Sequence, residues 1–585
     1  MNQAGPPTGD KKKRNNRNHW RKRKENKVDG NDEAEVDSSA IGKLSVSSPR
    51  KVRRTASQDN IKATPPAAPA VANRVTEATS VLHLSDMPVT ALTVSEPSMR
   101  ALTQVMNYQF LTKVQAATLP VILEGKDVLA KSKTGTGKTM AFLLPTIETL
   151  LKNIGTAPKR AVSALVLSPT RELASQIDVE AKKLSTYHPF RVACFVGGTS
   201  MSKDLRRLKD PIDLLVATPG RLQDHLSSNN EDLVARIGGI QVLVLDEADR
   251  LLDMGFRRDI EKLLAFLPTA RQTLLFSATL PTSLEEIKRL ALKPDHVFID
   301  TVGKEDQTNT HVNQSVITVP FEDHITTLDK LLHAHIRDSP DGYKIIAFFP
   351  TARAAGFMAQ VFLKAKYPVL EIHSRKSQSH RTKAADTFRA QDNQILFSSD
   401  VSARGVDYPG VTLVVQVGLT DKEQYIHRLG RTGRAGKDGE GILLLSPFEG
   451  PFLKELKGVP IVTATPPAGP APRVLPVLAQ INSNGELHQA AEQAYQAWLG
   501  FYNSNLRRLH LDKSQLVDMA AEYSRIIGLN EVPALLKKTI GKMGLQNMGL
   551  RIQHDTGGGG GRGGGRGSGR GGGGRGGGRG GRGGQ

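Results

Sequence analysis

Between residues 88 and 300, short apolar runs share one design: Asp127–Ser132 (DVLAKS), Ser163–Thr170 (SALVLSPT), Asp213–Gly220 (DLLVATPG), Gln241–Asp249 (QVLVLDEAD) and Gln272–Thr279 (QTLLFSAT). Each is apolar without alternation, then ends in small or polar residues. A strand with one wet face alternates, so a run without alternation predicts a strand covered on both faces of a parallel sheet. The polar residues then fall at the carboxyl ends of the strands, where open α/β sheets bind ligands. The design repeats over 319–460 in KIIAFFPT (Lys344–Thr351), PVLEIHS (Pro368–Ser374), QILFSSD (Gln394–Asp400), VTLVVQVG (Val411–Gly418) and GILLLSP (Gly441–Pro447). Two α/β domains follow, 88–300 and 319–460, joined by a hydrophilic linker over 301–318. After a Pro-rich connector (461–485), Leu487, Ala490, Ala491, Ala494, Tyr495, Trp498 and Phe501 recur at helical spacing. They predict a helical extension over 486–550, with the aromatic stripe as core.

The ends differ from this middle. Residues 1–85 carry KKKR (Lys11–Arg14) and RKRK (Arg21–Lys24) among Asn, Asp, Ser and Pro, and read as a disordered basic arm. Residues 556–585 are Gly and Arg with almost nothing else. This RGG-rich tail cannot form a core and suits single-stranded nucleic acid. The formal net charge of +21, clustered at both ends, points to a polyanionic partner. Cys194 is the only cysteine, which excludes an intramolecular disulfide and a cysteine-rich zinc site. No apolar run approaches the ~18 residues of a membrane helix, and the N-terminus lacks the apolar stretch of a secretory signal.

The first strand runs into SKTGTGKT (Ser132–Thr139), close to the phosphate-cradling pattern G-x-x-x-x-G-K-[ST] with Ser132 in the first glycine's place. Ser132, Thr134, Gly135, Thr136 and Gly137 form the loop, whose glycines let backbone N–H groups approach phosphates ahead of a helix N-terminus. Lys138 can reach the β- and γ-phosphates and Thr139 can ligate Mg²⁺. The strand Val242–Leu245 runs straight into Asp246-Glu247-Ala248-Asp249. Asp246, ending a buried strand, can hold the Mg²⁺ of a nucleoside triphosphate, and Glu247 can deprotonate an attacking water.

With the loop upstream of DEAD, the chain resembles the DEAD-box RNA helicases of superfamily 2, which are P-loop NTPases built from two tandem RecA-like domains. The resemblance covers about 88–460. It implies ATP and Mg²⁺ as cofactors, RNA as partner, a monomeric core and the following roles. Gln115, in YQFLTKVQ, reads adenine. PTRELASQ (Pro169–Gln176, with Pro169, Thr170 and Arg171), the pair Gly197-Gly198, and TPGR (Thr218–Arg221) contact the RNA backbone. Ser277-Ala278-Thr279 links hydrolysis to RNA work. In the second domain, IIAFFPT (Ile345–Thr351), Gln378 with Arg381, SDVSARGVD (Ser399–Asp407) and YIHRLGRTGRAG (Tyr425–Gly436) follow in family order. There Arg375 and Gly405 would meet RNA, Asp407 the ribose, and His427 would couple the two activities. Arg431 and Arg434 would reach the γ-phosphate, Arg434 as the arginine finger. The family's upstream adenine-stacking aromatic is missing around Thr90–Leu92, which leaves Tyr108 and Tyr408 as substitutes.

The resemblance implies RNA-stimulated ATP hydrolysis that opens short duplexes locally by bending one strand. An ATP-gated RNA clamp, an annealing protein with little unwinding, and a DNA helicase stay open as alternatives. DLRRL (Asp204–Leu208), FRRDIEKLL (Phe256–Leu264) and the extension with its basic tail resemble the fungal mitochondrial branch that chaperones intron splicing. The branch suggests a mitochondrion, whereas the basic clusters beside Asp10, Glu25 and Asp29 suit a nuclear signal equally well. Removing the tail from Gly557 is expected to weaken RNA affinity and flatten its salt dependence, with ATPase at saturating RNA largely kept. An unchanged salt slope in a binding titration would remove the tail from RNA binding.

Overall fold

The computed structural model describes residues 84–155, 160–228, 231–302, 312–400, 406–433, 438–470 and 472–553. The predicted tail, most of the predicted arm, Gly405 and Arg434 lie outside them.

Among the described residues, the first sheet has seven parallel strands: β3 (Val128–Lys131), β4 (Ala164–Leu167), β5 (Val192–Phe195), β6 (Leu214–Ala217), β7 (Val242–Leu245), β8 (Gln272–Ser277) and β9 (Val297–Asp300). Their order is β5-β6-β4-β7-β8-β3-β9. Strands β4, β6, β7 and β8 are buried at every position, which is why their sequences show no alternation. One face packs on the helices Lys138–Lys152 and Arg171–Leu184. The opposite face packs on Leu222, Leu233, Leu251 and Ile260. A short antiparallel pair, β1 (Leu84–Pro88) with β2 (Phe110–Thr112), precedes the sheet, so Leu84 and Ser85 of the predicted arm are in a strand.

The second sheet is also parallel and seven-stranded among the described residues: β10 (Val312–Thr318), β11 (Lys344–Phe348), β12 (Val369–Ile372), β13 (Gln394–Ser398), β14 (Leu413–Val417), β15 (Gly439–Leu445) and β16 (Val462–Thr463), in the order β12-β13-β11-β14-β15-β10-β16. The fold is therefore α/β with two RecA-like parallel-sheet lobes. The linker expected over 301–318 needs correction. Its last third is β10, paired with β15 from Val312↔Gly439 to Thr318↔Leu445. Strand β10 (VNQSVIT) alternates buried and exposed near the sheet edge, so its polar positions read as linker.

The extension consists of the helices Gly485–Leu509, Lys513–Ile526 and Lys537–Met543. Its buried residues belong to the same apolar cluster as Ile345, Phe349 and Phe357 of the second lobe. The Pro-rich connector takes part too, through buried Val474, Leu478 and Ile481. At the seam the Trp498 ring lies 4.9 Å from Tyr523, 4.5 Å from Tyr502 and 5.5 Å from Phe321. The Tyr502 hydroxyl donates to the buried Glu449 carboxylate at 2.6 Å. Glu449 also accepts from the N–H groups of Leu419 and Ser446. Trp498→Ala is expected to cost about 3–5 kcal/mol, seen as a lower urea midpoint for the second lobe. A midpoint within error of the parent would show that the extension is not part of this core.

Candidate functional site

The phosphate loop is shaped by its glycines and by its neighbours. Gly135 and Gly137 have φ of +78° and +89°, and Gly137 caps the helix Lys138–Lys152. The Ser132 N–H donates to the Ser277 carbonyl at 3.0 Å, tying the loop to the end of β8. Gln115 is completely buried. Its Oε1 accepts from the Thr112 N–H at 2.9 Å, and its Nε2 donates to the Gly137 carbonyl at 3.0 Å. A Cβ at Gly137 would come within 2.5 Å of that Nε2, so loop and glutamine are fitted to each other. The structure thus places the predicted adenine reader as a brace under the loop.

Asp246 and Glu247 are 3% and 2% exposed at the end of β7. Lys138 Nζ lies 3.1 Å from Glu247 Oε1 and 3.5 Å from the Ser132 carbonyl. Burial, and then the Glu247 charge beside it, push the Asp246 carboxyl well above the usual carboxylate range, while Lys138 pulls it back. Glu247 sits in the left-handed region at φ +47°, a strained conformation for a residue with a Cβ, and such strain gathers at functional sites. Two buried carboxylates facing one ammonium leave room for a further cation. Ser132 Oγ is also buried without a hydrogen-bond partner in this loop. Among the described residues no group of three or more His, Cys, Asp or Glu could hold a metal by itself. That donor set suits Mg²⁺, which binds through one or two carboxylates plus substrate phosphates and water. Asp246 and the half-buried Thr139 are the residues that would hold it.

The second lobe meets this site directly. Asp249 Oδ2 accepts from the Thr279 N–H (3.2 Å) and hydroxyl (2.8 Å), and His427 Nε2 approaches it at 3.7 Å from the other lobe. Ser277 Oγ donates to the Thr279 carbonyl at 2.6 Å, and the Asp249 N–H lies 3.3 Å from Ser277 Oγ. The turn after His427 touches the loop, since a Cβ at Gly430 would lie 2.7 Å from Thr134 Oγ1. Arg431, 1% exposed, donates to the carbonyls of Val406 and His427.

One helix face forms the rest of the seam. Glu172, Gln176 and Glu180 recur every fourth residue on Arg171–Leu184. Glu172 accepts from Arg381 at 2.6 Å and Gln378 at 3.1 Å, both in the second lobe. Gln176 Oε1 accepts from the Asp407 N–H at 2.7 Å. Burial, then the charges of Glu180 and of Asp407 in the second lobe, raise the Tyr108 hydroxyl to about 12. Tyr408 is different: 1% exposed, its ring packs on Phe388 at 5.2 Å inside the second lobe. As a substitute for the adenine-stacking aromatic it is therefore corrected to a core residue.

The residues named for RNA divide. Arg171 lies against Gly198 and donates to Gln378 Oε1 at 3.4 Å. Arg375 is exposed near Arg353, whose guanidinium is pulled below its ordinary range by burial and then by Arg375. Pro169, Thr170 and Thr218 are buried, and Thr170 Oγ1 caps the helix Arg171–Leu184 through the Leu173 N–H. Arg221 is 8% exposed, bound to Asp204 Oδ2 at 2.8 Å and the Thr199 carbonyl at 3.0 Å, so it braces the Gly197-Gly198 segment from beneath. Glu172, Gln176, Glu180, Asp204 and Arg353 were not singled out from sequence. The four-residue spacing of the first three was the available signal.

The DEAD/DEAH box helicase family profile matches residues 112–287, and the helicase conserved C-terminal domain profile matches 323–436. DEAD-box ATP-dependent RNA helicase 26 of Oryza sativa subsp. japonica is 50% identical over 477 residues, 80% of this chain and 87% of the relative. The chain belongs to the DEAD-box ATP-dependent RNA helicases. Helicase 25 of Arabidopsis thaliana is 48% identical over 460 residues, 76% of this chain and 80% of the relative. Among solved structures, Mss116p bound to ssRNA and AMP-PNP is 29% identical with a TM-score of 0.72, covering 80% of this chain and 98% of Mss116p. This helicase hydrolyses ATP, and RNA is its partner. Lys138→Ala or Glu247→Gln is expected to lower ATP turnover by more than about 10²-fold with an unchanged circular dichroism spectrum. Parent-rate hydrolysis by Glu247→Gln would refute its role as general base.

Proposed function

We propose that this helicase works by closing its two lobes at once on ATP and on one RNA strand. The observation that carries the proposal is the split site. Lys138, Asp246 and Glu247 stand on the first lobe, where the second lobe brings His427 to Asp249 and Gly430 to Thr134 of the phosphate loop, with Arg431 next in the same segment. A triphosphate competes with Glu247 for the Lys138 ammonium, which frees Glu247 to accept a proton from the attacking water. Asp246 and Thr139 would hold Mg²⁺, which would supply charge neutralisation at the phosphates. Arg431 adds positive charge from the opposite side, where charge develops in the transition state.

Arg171 beside Gly198 and the pair Arg353–Arg375 offer cations on both lobes to one RNA backbone, without reading its sequence. Both ligands favour the same closed state, so each strengthens the other's binding. A strand held across both lobes is bent, and a duplex cannot follow it, so short duplexes open locally. An intact Glu247 favours turnover over a static clamp.

Within the family, we propose an RNA chaperone of the intron-splicing kind. Mss116p aligns with 80% of this chain, against 65% for Dbp5, and the difference is about the size of the connector and extension. Single-stranded RNA is expected to stimulate ATPase and DNA of the same sequence is not. Arg381→Ala is expected to raise the RNA concentration for half-maximal stimulation at least tenfold, about 1.4 kcal/mol of coupling. Equal stimulation by DNA, or parent-like RNA dependence in the variant, would overturn the proposal.

A further inference from the structure

The second lobe has a concave surface far from the cleft that the ATPase cycle does not use. Its volume is about 690 Å³. Lys364, Lys366 and Arg473 line it, with Pro476, Val477 and Asn484 of the connector and Leu487 of the extension. The topology fixes its position. The helix Ala352–Lys364 starts beside the carboxyl end of β11, next to the seam, and runs back to the amino end of β12. Its 13 residues span about 20 Å. The groove therefore lies at the opposite edge of the sheet from Arg353 and Arg375.

Each cation is held at the rim. Lys366, at φ +68°, turns the chain out of the helix, so the exposed side chains of Lys364 and Lys366 flank one bend. Arg473 is anchored by its backbone N–H, which donates to Asp329 Oδ2 at 3.0 Å, and its guanidinium lies 5.3 Å from the Tyr367 ring centre. Among the described residues neither lysine has an acidic partner within salt-bridge distance. No acidic side chain lines the groove. The 25-residue helix Gly485–Leu509 begins at the rim, capped by Asn484, so the positive end of its dipole adds to the field. Glu486, in the first turn, is outside the lining.

We propose that this groove binds the phosphate backbone of RNA lying outside the cleft, and so tethers a second segment of the RNA being remodelled. The proposal rests on the RNA-helicase reading but concerns a separate place. Three cations around one concavity match two or three phosphates, and no aromatic side chain projects from it as an anchor for a protein partner. At the ~3.4 Å rise of a stacked strand, about 20 Å corresponds to about six nucleotides, so an RNA confined to the cleft does not reach the groove. The connector and the extension each supply part of the wall. This gives the extension a binding role beyond completing the lobe's core.

The test uses the full chain with Lys364→Glu, Lys366→Glu and Arg473→Glu combined, and a second variant with Gln at the three positions. Two RNAs are compared: a single strand of about six nucleotides, too short to occupy the cleft and also span the further ~20 Å, and the same strand extended by a duplex of about 30 base pairs. Both variants should keep the parent's ATPase stimulation by the short strand. With the extended RNA, the slope of log affinity against log salt should fall by about two to three, and affinity at physiological salt at least tenfold. The Gln variant should show the smaller affinity loss with a similar slope. Parent-like slope and affinity on the extended RNA would overturn the proposal, even if the variants lost affinity for an acidic peptide. So would an equal loss on both RNAs, which would place the effect in the cleft. Absence of stimulation by either RNA in the parent protein would instead count against the helicase reading.

Discussion

The ion pair between Glu172 and Arg381 sets how the two lobes meet. Both side chains are nearly water-free, 3% and 4% exposed, and they sit on different lobes. A buried charge is costly unless its partner and its remaining lone pairs are satisfied. Here Arg381 takes one carboxylate oxygen and the Gln378 amide takes the other. Sliding one lobe by a helical residue would leave a naked carboxylate in the interior. The pair therefore selects one register more than it adds stability, and that register aligns Gln176 with Asp407 and Thr134 with Gly430.

From that register the chemistry follows. Asp249 is gripped by Thr279 within the first lobe and approached by His427 from the second. Ser277 joins the same network and also carries the carbonyl that holds the Ser132 N–H of the phosphate loop. A change at the phosphates is thus one or two hydrogen bonds from the seam. Coupling between ATP and RNA needs no long path, because both ligands bias one two-state element, the closed pair of lobes.

The extension changes what the second lobe is. Its sheet face is covered by the extension as well as by its own helices, and the Trp498 cluster and the Glu449–Tyr502 bond close the join. Such a lobe presents surfaces that a bare RecA-like sheet lacks, including the groove formed where helix end, connector and extension converge.

Both lobes' central strands were legible because burial on two faces forbids polar residues within them, and the loop and DEAD residues because phosphate chemistry needs those types at those strand ends. Edge strand β9, and β10 next to the edge, were not, since both alternate between buried and exposed positions and so tolerate polar residues. Sequence by itself determined the fold class, the cofactor chemistry and the family. Tertiary structure alone decided that Gln115 braces the loop, that Arg221 serves Asp204, and that Tyr408 is core. The physical reason is that a side chain's type limits which bonds it can make, while its partner is whichever group the packing of distant elements brings within reach.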